Sequence, residues 1–425
     1  MAVQGIAFSV LLLDCIIFGM MFPYVAALLA HFRAHEGSGW FSWAAAQAQA
    51  LVPTADPVQR DALFGGVIIG LYSLMQFVSA PLWGRLSDRI GRRPVLLWSL
   101  AVTCAANLVW ALSDSFAALV ASRVIAGAFS GSVVGVTAAI GDAVPAERRA
   151  RAMGLVGMAF GLGFVAGPLL GALLHHPQAL AGVWILHEFS LPALVGCVLG
   201  AVNLGIAWRR FPETLDRSAA PAAPPRTANV LAMFRGGGQS RAINFAFCAY
   251  TLLFSGMEAT LVFVTAQRYG FTPFDNGWLF LVMGLSTAVM QGAVFRPLAP
   301  RLGIRRLGVA GIVVSMVGFA ALAYAADTAA AWALWGGAGL LAAGSGLIFP
   351  ALSTLASLVA ERDRMGESMG YFRSAGSLGR AVGPYVGAVA FFAIAPSGPS
   401  VISAVGLMAP LALLLWAVRS PATMR

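Results

Sequence analysis

Long apolar runs without a charged residue constrain this chain more than any other feature. Five runs stand out: Ala62–Gly84, Pro94–Ser113, Phe189–Trp208, Leu307–Ala326 and Thr328–Ala360. A helix needs about 20 residues to cross the roughly 30 Å hydrocarbon core of a bilayer, and lipid leaves the backbone few other ways to satisfy its hydrogen bonds. The chain is 59% hydrophobic and 10% charged, far below the roughly 25% charge of soluble domains. We therefore predict an all-α membrane protein.

Twelve transmembrane helices follow from these runs and from the less apolar ones between them. The predicted spans are 6–31, 62–83, 95–113, 116–140, 152–174, 189–208, 242–266, 276–295, 307–326, 331–359, 368–393 and 399–418. The two groups of six are expected to form two pseudo-symmetric six-helix bundles, residues 1–208 and 242–425. A cytoplasmic linker, 209–241, joins them and is rich in Pro, Ala and Gly.

The distribution of arginine predicts the orientation in the membrane. Placing both termini in the cytoplasm puts 21 arginines in cytoplasmic loops and the C-terminal tail, against three outside, Arg33, Arg60 and Arg268. This asymmetry obeys the positive-inside rule. The net charge of +10 therefore reflects topology, and no nucleic-acid partner is expected. The arginine-only, alanine-rich composition suggests a prokaryotic inner membrane.

An internal repeat relates the two halves. Residues 152–171 (AMGLVGMAFGLGFVAGPLLG) align with 368–387 (SMGYFRSAGSLGRAVGPYVG) at an offset of 216, and the pair Met75-Gln76 recurs as Met290-Gln291 at an offset of 215. Parallel six-helix repeats are typical of transporters that bind substrate near the membrane midplane between the halves.

Three motifs in order carry a family resemblance. GRLSDRIGRRP (Gly84–Pro94) resembles the cytoplasmic loop signature of the major facilitator superfamily, ASRVIAGAFSG (Ala121–Gly131) its helix 4 motif, and GLGFVAGPLLG (Gly161–Gly171) its helix 5 motif associated with antiporters. LLLDCIIFGMMFP, FPET and FSGMEATLVFV are similar to the tetracycline-transporter-like group. The resemblance implies the major facilitator fold and a proton-coupled drug exporter, with helices 1, 4, 7 and 10 lining its cavity.

The segment Gly84–Pro94 is interpreted as a short cytoplasmic gating loop. Its candidate residues are Gly84, Asp88, Arg89, Gly91 and Arg92. The related segment Arg296–Arg306 has Pro300 where the first copy has Asp88, so only the N-terminal half offers an acid there. We predict that Asp88 meets the positive N-terminal end of the helix near Ser368, or a nearby arginine.

Two acids inside predicted helices are candidate proton or substrate sites. Asp14 lies roughly 12 Å into helix 1 at about 1.5 Å per residue, too deep for its carboxylate to reach water. It should be protonated or paired, and Arg123 of helix 4 is a candidate partner. Glu258 of helix 7 shares a polar stripe with Thr251 and Ser255, which should face the cavity. The alternative is a structural ion pair for Asp14 and a helix-packing hydrogen bond for Glu258.

Two arginines in helix 11 are further candidates for the site. Arg373 lies near enough to the predicted cytoplasmic interface to extend its side chain toward it. Arg380 lies deeper and needs a partner, because an arginine at mid-bilayer costs at least about 2.5 kcal/mol. That partner is either an acid such as Glu258 or an anionic substrate. Gln76 and Gln291 are candidate uncharged cavity contacts.

Helices 5 and 11 carry glycine-proline motifs, predicted to permit close packing and bending. Their residues are Gly163, Gly167, Pro168 and Gly171 in the first and Gly379, Gly383 and Pro384 in the second.

The expected function is export of amphipathic, drug-like organic compounds by alternating access, with proton antiport through Glu258 and Asp14. One alternative is an organic anion uniporter or symporter that uses Arg373 and Arg380, and another is a lipid translocase or a non-transporting scaffold. The partners are then a small organic substrate, protons and the lipid bilayer, and the protein is expected to be a monomer. The sequence predicts no metal site, no cofactor and no enzyme.

Overall fold

A computed structural model describes residues 2–21, 28, 31–32, 39–42, 46, 57–113, 115–174, 190–215, 234, 238–271, 273–361 and 364–417. We number its helices α1 to α12. The uninterrupted ones are α1 (Ala2–Gly19), α2 (Pro57–Ile90), α3 (Arg92–Ala111), α5 (Ala146–Leu174), α6 (Ser190–Arg210), α7 (Gly238–Tyr269), α9 (Ile304–Thr328), α10 (Ala331–Val359) and α11 (Met365–Ala393). Three have breaks: α4 (Phe116–Ala128 and Ser132–Ala143), α8 (Pro273–Val289, π-helical Met290–Phe295 and Arg296–Leu302) and α12 (Gly398–Gly406 and Met408–Ala417).

These helices lie on the predicted spans, with differences at the ends. Within the described residues, nine helical segments are long and apolar enough to cross a membrane, and Val3–Gly19 is a shorter apolar helix. In the first span, predicted to reach residue 31, α1 stops at Gly19, residues 20–21 form a turn, and residues 28 and 31 are again helical. Most of 22–31 and of the linker 209–241 lies outside the described residues.

The segment Gly84–Pro94 is largely helical, so the expectation of a loop there was wrong. α2 continues through Asp88 to Ile90, and α3 begins at Arg92, which leaves Gly91 as the sole connecting residue. Gly91 has φ 109°, a conformation that glycine adopts at little cost. The carboxylate of Glu213 accepts hydrogen bonds from the backbone N–H of Arg92 (2.9 Å) and Arg93 (3.2 Å). These bonds satisfy two donors that the start of α3 would otherwise leave unpaired.

The glycines of each glycine-proline helix pack closely against a neighbouring helix of the same half. Glycines 163, 167 and 171 of α5 lie against residues 15–20, at and just beyond the end of α1, and glycines 379, 383 and 387 of α11 lie against residues 248–256 of α7. A Cβ at these positions would meet the backbone or Cβ atoms of the facing helix, so only glycine permits the approach. Pro168 and Pro384 lie inside their helices. The helices held in this way carry Asp14 and Glu258.

The two halves meet along two equivalent helix pairs. Gly370 of α11 lies against Ala80 of α2, and Gly154 of α5 lies against Gln291 and Phe295 of α8. Since Gly154 and Gly370 are related by the repeat, the halves contact each other with approximate two-fold symmetry. A cavity opens between these pairs.

Candidate functional site

The cavity between the halves has a volume of about 170 Å³, comparable to the roughly 150 Å³ engineered cavity known to bind benzene. Both halves line it, and most of its wall is apolar. Its polar and charged lining comes from Asp14, Tyr72, Ser73, Gln76, Tyr250, Thr251, Glu258, Thr287, Gln291, Ser345, Arg373, Ser377 and Arg380. A buried pocket with a few converging polar groups is the usual form of a small-molecule site.

Asp14 reaches the cavity from α1 and contacts the second segment of α4. Its carboxylate accepts a hydrogen bond of 2.5 Å from the hydroxyl of Ser132. Ser132 is the first residue of the segment that follows the break in α4, so the carboxylate lies at a helix N-terminus, where the helix dipole favours negative charge. Arg373 is close enough for its charge to interact with Asp14.

The proposed pair of Asp14 with Arg123 was wrong. The Arg123 guanidinium lies over the ring of Trp110, 4.7 Å from its centroid, and donates to the side-chain oxygen of Asn107 at 3.2 Å. Both partners belong to α3, and Arg123 is not among the cavity-lining residues of the described structure. The contact of α4 with Asp14 is made instead by Ser132, which follows the break at residues 129–131.

Glu258 and the two arginines of α11 line the same cavity. Glu258 lies within electrostatic range of Arg380, and Arg380 lies within range of Arg373. Of the residues that the structure describes, two acids and two arginines therefore line the cavity.

Arg373 does not extend to the membrane interface as the sequence suggested. Its guanidinium lies 5.5 Å from the ring centroid of Phe160 in α5, and its buried Nε has no hydrogen-bond partner among the described residues. The bulk of Phe160 on the facing helix and the tight contact of α11 with α2 hold the side chain inside the protein.

The polar stripe of α7 does not face the cavity as a unit. Thr251 lines the cavity but donates to backbone oxygens of its own helix, at 2.8 Å to Phe247 and 3.1 Å to Cys248. Ser255 instead lies against α11, where its hydroxyl is 3.4 Å from the carbonyl of Gly379. The close glycine contact between α7 and α11 turns this position away from the cavity.

Aromatic rings line part of the cavity wall and join the halves. Phe160 of α5 lies edge-on to Phe349 of α10 at 5.2 Å between centroids, and Phe349 lies 5.7 Å from Phe247 of α7. Phe247 stacks on Phe372 of α11 at 4.2 Å. These rings give the cavity an apolar surface suited to an aromatic ligand.

At the arginine-rich end of the bundle, Asp88 bridges the halves. Its two carboxylate oxygens accept hydrogen bonds from the backbone N–H groups of Gly366 (2.8 Å) and Glu367 (2.7 Å), at the start of α11. Arg92 donates to the same carboxylate at 2.5 Å and to Asp142 at 2.8 Å. Burial raises the pKa of Asp88, against the opposing effects of Arg92 and of the backbone bonds. We call these five residues the Asp88 cluster.

The neighbours of the Asp88 cluster extend the contact between the halves. Arg85 of α2 donates to Glu367 of α11 at 2.8 Å and also contacts the hydroxyl of Tyr371. A Cβ at Gly84 would collide with the backbone of Gly366, so glycine lets the helices touch. Arg89, predicted to belong to the gating residues, is exposed and contacts none of these groups in the described structure.

A second contact between the halves was not found in the sequence. Arg149 of α5 donates to the carbonyls of Gly141 (2.6 Å) and Val144 (3.1 Å) at the end of α4, and to the carbonyl of Ser357 in α10 (3.0 Å). The guanidinium thus satisfies carbonyls at a helix C-terminus, where the dipole favours positive charge. The sequence showed only a basic loop residue.

The model of the Major Facilitator Superfamily matches residues 6–384. The chain belongs to the major facilitator superfamily. Among the relatives of this superfamily protein, major facilitator superfamily domain-containing protein 10 of Bos taurus is 34% identical over 92% of this chain and 87% of its own length. The tetracycline resistance protein, class C, of Escherichia coli is 32% identical over 78% and 81%. The crystal structure of the human organic anion transporter MFSD10 (TETRAN) superposes with a TM-score of 0.87 at 28% identity, covering 97% of this chain and 99% of that one.

These comparisons confirm the recognised family and the twelve-helix major facilitator fold. The protein is a multi-pass integral membrane protein of a transporter superfamily, and a small molecule crossing the membrane is the expected cargo of such a fold. Among the described residues of this superfamily protein, no group of three His, Cys, Asp or Glu side chains could hold a metal ion.

Several site residues of this major facilitator protein were missed by sequence reasoning. Ser73 and Ser132 are serines in apolar surroundings and gave no signal in the sequence. The pair Tyr250 and Ser345, joined by a 2.6 Å hydrogen bond between α7 and α10, could have been found only by knowing which helices face each other.

Proposed function

We propose that the protein exports amphipathic organic compounds in exchange for protons, by alternating access of the central cavity. The observation that carries this proposal is the position of Asp14 and Glu258. One acid from each half lines the same cavity, and each lies within electrostatic range of an arginine of α11.

The charge arrangement supports coupling. A carboxylate inside a membrane protein is costly unless an opposite charge is near, and Arg373 and Arg380 supply that charge. If the substrate binds only while an acid is ionised, for example by donating a hydrogen bond to its carboxylate, then uptake of a proton by that acid weakens substrate binding. Binding of substrate and binding of protons then compete, which is the requirement for antiport.

Proton coupling is tested by efflux from proteoliposomes preloaded with an amphipathic fluorescent compound. Acidifying the outer medium is expected to accelerate efflux by the parent protein. Glu258→Gln should remove that acceleration, because an amide cannot carry a proton across. Asp327→Asn, at an exposed acid, is the matched control and should behave as the parent. Efflux that is indifferent to the pH gradient in the parent protein would exclude antiport.

A second candidate is an organic anion uniporter or symporter, favoured by the two arginines that line the cavity. The human organic anion transporter that superposes on this chain supports this candidate. Arg380→Gln should then slow the flux of anionic compounds more than that of cationic ones. Equal slowing of the flux of anionic and of cationic compounds would count against this second candidate.

We also propose that residues 1–208 and 242–425 move as two units about the linker 209–241, and that the protein acts as a monomer. The arginine-rich end is placed in the cytoplasm together with both termini, in a prokaryotic inner membrane. The excess of arginine at that end supports the orientation. The accessibility of tags at the two termini to a protease or an impermeant maleimide, measured in sealed vesicles, tests this orientation.

A further inference from the structure

Two glutamines related by the internal repeat have different environments. Gln76 of α2 and Gln291 of α8 both line the cavity, and both face the glycine-proline helix of the opposite half. The side-chain oxygen of Gln76 accepts a hydrogen bond of 2.6 Å from the hydroxyl of Ser377 in α11. If the repeat were exact, Gln291 would accept a bond from the equivalent residue of α5.

That equivalent residue cannot donate. At the offset of 216, Ser377 corresponds to Gly161, which has no side chain. Gly161 lies against α8 one turn before Gln291, where a Cβ would be 3.3 Å from the Thr287 methyl group. The side-chain oxygen of Gln291 has no hydrogen-bond partner among the described residues, although the residue is only 2% exposed.

The local backbone is also unusual at this position. Gln291 lies in the π-helical segment Met290–Phe295, and such segments are rare and frequent at functional sites. Its amide packs on Gly157, where a Cβ would approach the Gln291 Cδ to 2.7 Å. A buried acceptor without a donor is unfavourable. A compound in the cavity that Gln291 lines can supply the donor.

A second unsatisfied group meets the same turn of α5. The buried Nε of Arg373 lacks a partner among the described residues, and its guanidinium lies over Phe160. Gly157 and Phe160 are three residues apart and therefore share a face of α5. Gln291 and Arg373 thus border one part of the cavity, beside the aromatic rings of Phe160 and Phe349. The cavity offers an acceptor, a cationic donor and an aromatic wall.

We propose that Gln291 is a specificity-determining residue that hydrogen-bonds a hydroxyl or N–H group of the transported compound, and that preferred substrates are aromatic acids carrying such a donor. The acid contacts Arg373, the ring contacts the phenylalanines and the donor contacts Gln291. This inference rests on the proposed function only in that the cavity is the site where the transported compound binds.

The test compares two compounds that differ in one donor. Binding of 6-hydroxy-2-naphthoate and 6-methoxy-2-naphthoate to the purified full-length protein is measured by fluorescence in detergent, without a proton gradient. The parent protein is expected to prefer the hydroxy compound by about tenfold, the usual scale for one buried hydrogen bond. Gln291→Leu should reduce this ratio to about one, because the acceptor is lost.

A control variant separates recognition from stability. Gln267→Leu is the matched control, at an exposed glutamine of α7 that does not line the cavity, and should preserve the ratio. The inference is decided by the ratio of the two affinities, which the parent protein alone already tests, so a variant that fails to fold does not prevent a decision.

Each outcome decides a different claim. Equal affinity of the parent protein for the two compounds, or a preserved ratio in Gln291→Leu, would overturn the role of Gln291. Failure of both compounds to bind the parent would overturn the aromatic acid class. A preserved hydroxyl preference together with efflux that ignores the pH gradient would overturn the proposed proton coupling and leave this inference standing.

Discussion

The Asp88 carboxylate shows how much one side chain contributes to the contact between the halves. It accepts hydrogen bonds from two backbone N–H groups at the start of α11 while Arg92 holds it from its own half. The motif and its charge pattern predicted that Asp88 meets the helix end near Ser368. The Asp88 carboxylate contacts the backbone of Gly366 and Glu367, the two residues before Ser368. The gating role of these residues stays a prediction.

Asp88→Asn should open the arginine-rich end. The amide keeps one acceptor oxygen but loses the charge, and hydrogen bonds to charged groups contribute about 1.5–3 kcal/mol. The ratio of molecules closed at this end to molecules open at this end should fall by about tenfold or more. Labelling of a Ser374→Cys reporter, buried between α11 and α2, by an impermeant maleimide measures it, in a background without the native cysteines.

Arg89→Gln is the matched control for Asp88→Asn, since Arg89 belongs to the same motif and is exposed. Its labelling rate should equal that of the parent. Unchanged labelling and transport in Asp88→Asn would refute the closing role of the carboxylate.

Helices α5 and α11 act as equivalent elements whose glycine faces hold the acid-bearing helices α1 and α7. The spacing of four residues was visible in the repeat, but the helix that each stripe faces was not, because periodicity reports a face and not its neighbour. The same limitation explains Ser255, which shares a helical face with Glu258 but lies against α11.

Gly383→Ala tests the packing of α11 on α7. A Cβ there would collide with the carbonyl of Leu252 and lie 3.0 Å from the backbone nitrogen of Gly256, so the helices must separate. Such overpacking typically costs about 1–3 kcal/mol, and thermal unfolding in detergent should occur at lower temperature. Gly205→Ala, with no heavy atom within 4 Å of the new Cβ, should unfold at the same temperature as the parent or at a slightly higher one.

In the molecule as a whole, the charge contacts that join the halves at one end include two of opposite sign. The N-terminal half places an acid at the positive start of α11, and it places Arg149 on carbonyls at the end of α4 and in α10. Both contacts must break before the cavity can open at this end. The structure therefore has this end closed.

Arg149→Gln should shift the protein toward the state open at the arginine-rich end. Spin labels at Arg148→Cys and Glu361→Cys, both exposed positions near the contact, report the separation of α5 and α10. The fraction of molecules with a longer distance between the two spin labels is expected to grow several-fold, because about one to two hydrogen bonds of a charged group are lost. Arg151→Gln, at an exposed arginine of the same helix, should leave the distance distribution unchanged, and an unchanged distribution in Arg149→Gln would exclude this role.

The sequence by itself determined that the chain crosses a membrane as helices, that it consists of two related halves and that it resembles the major facilitator superfamily. These properties depend on hydropathy, spacing and local motifs, which are written along the chain. The tertiary structure alone decided which polar groups meet: Asp14 with Ser132 and not Arg123, Arg373 inside the cavity, and Gln76 with a donor that Gln291 lacks. Such pairings depend on helix rotation and on the breaks at residues 129–131 and 290–295, where the helical period that sequence reasoning assumes no longer holds.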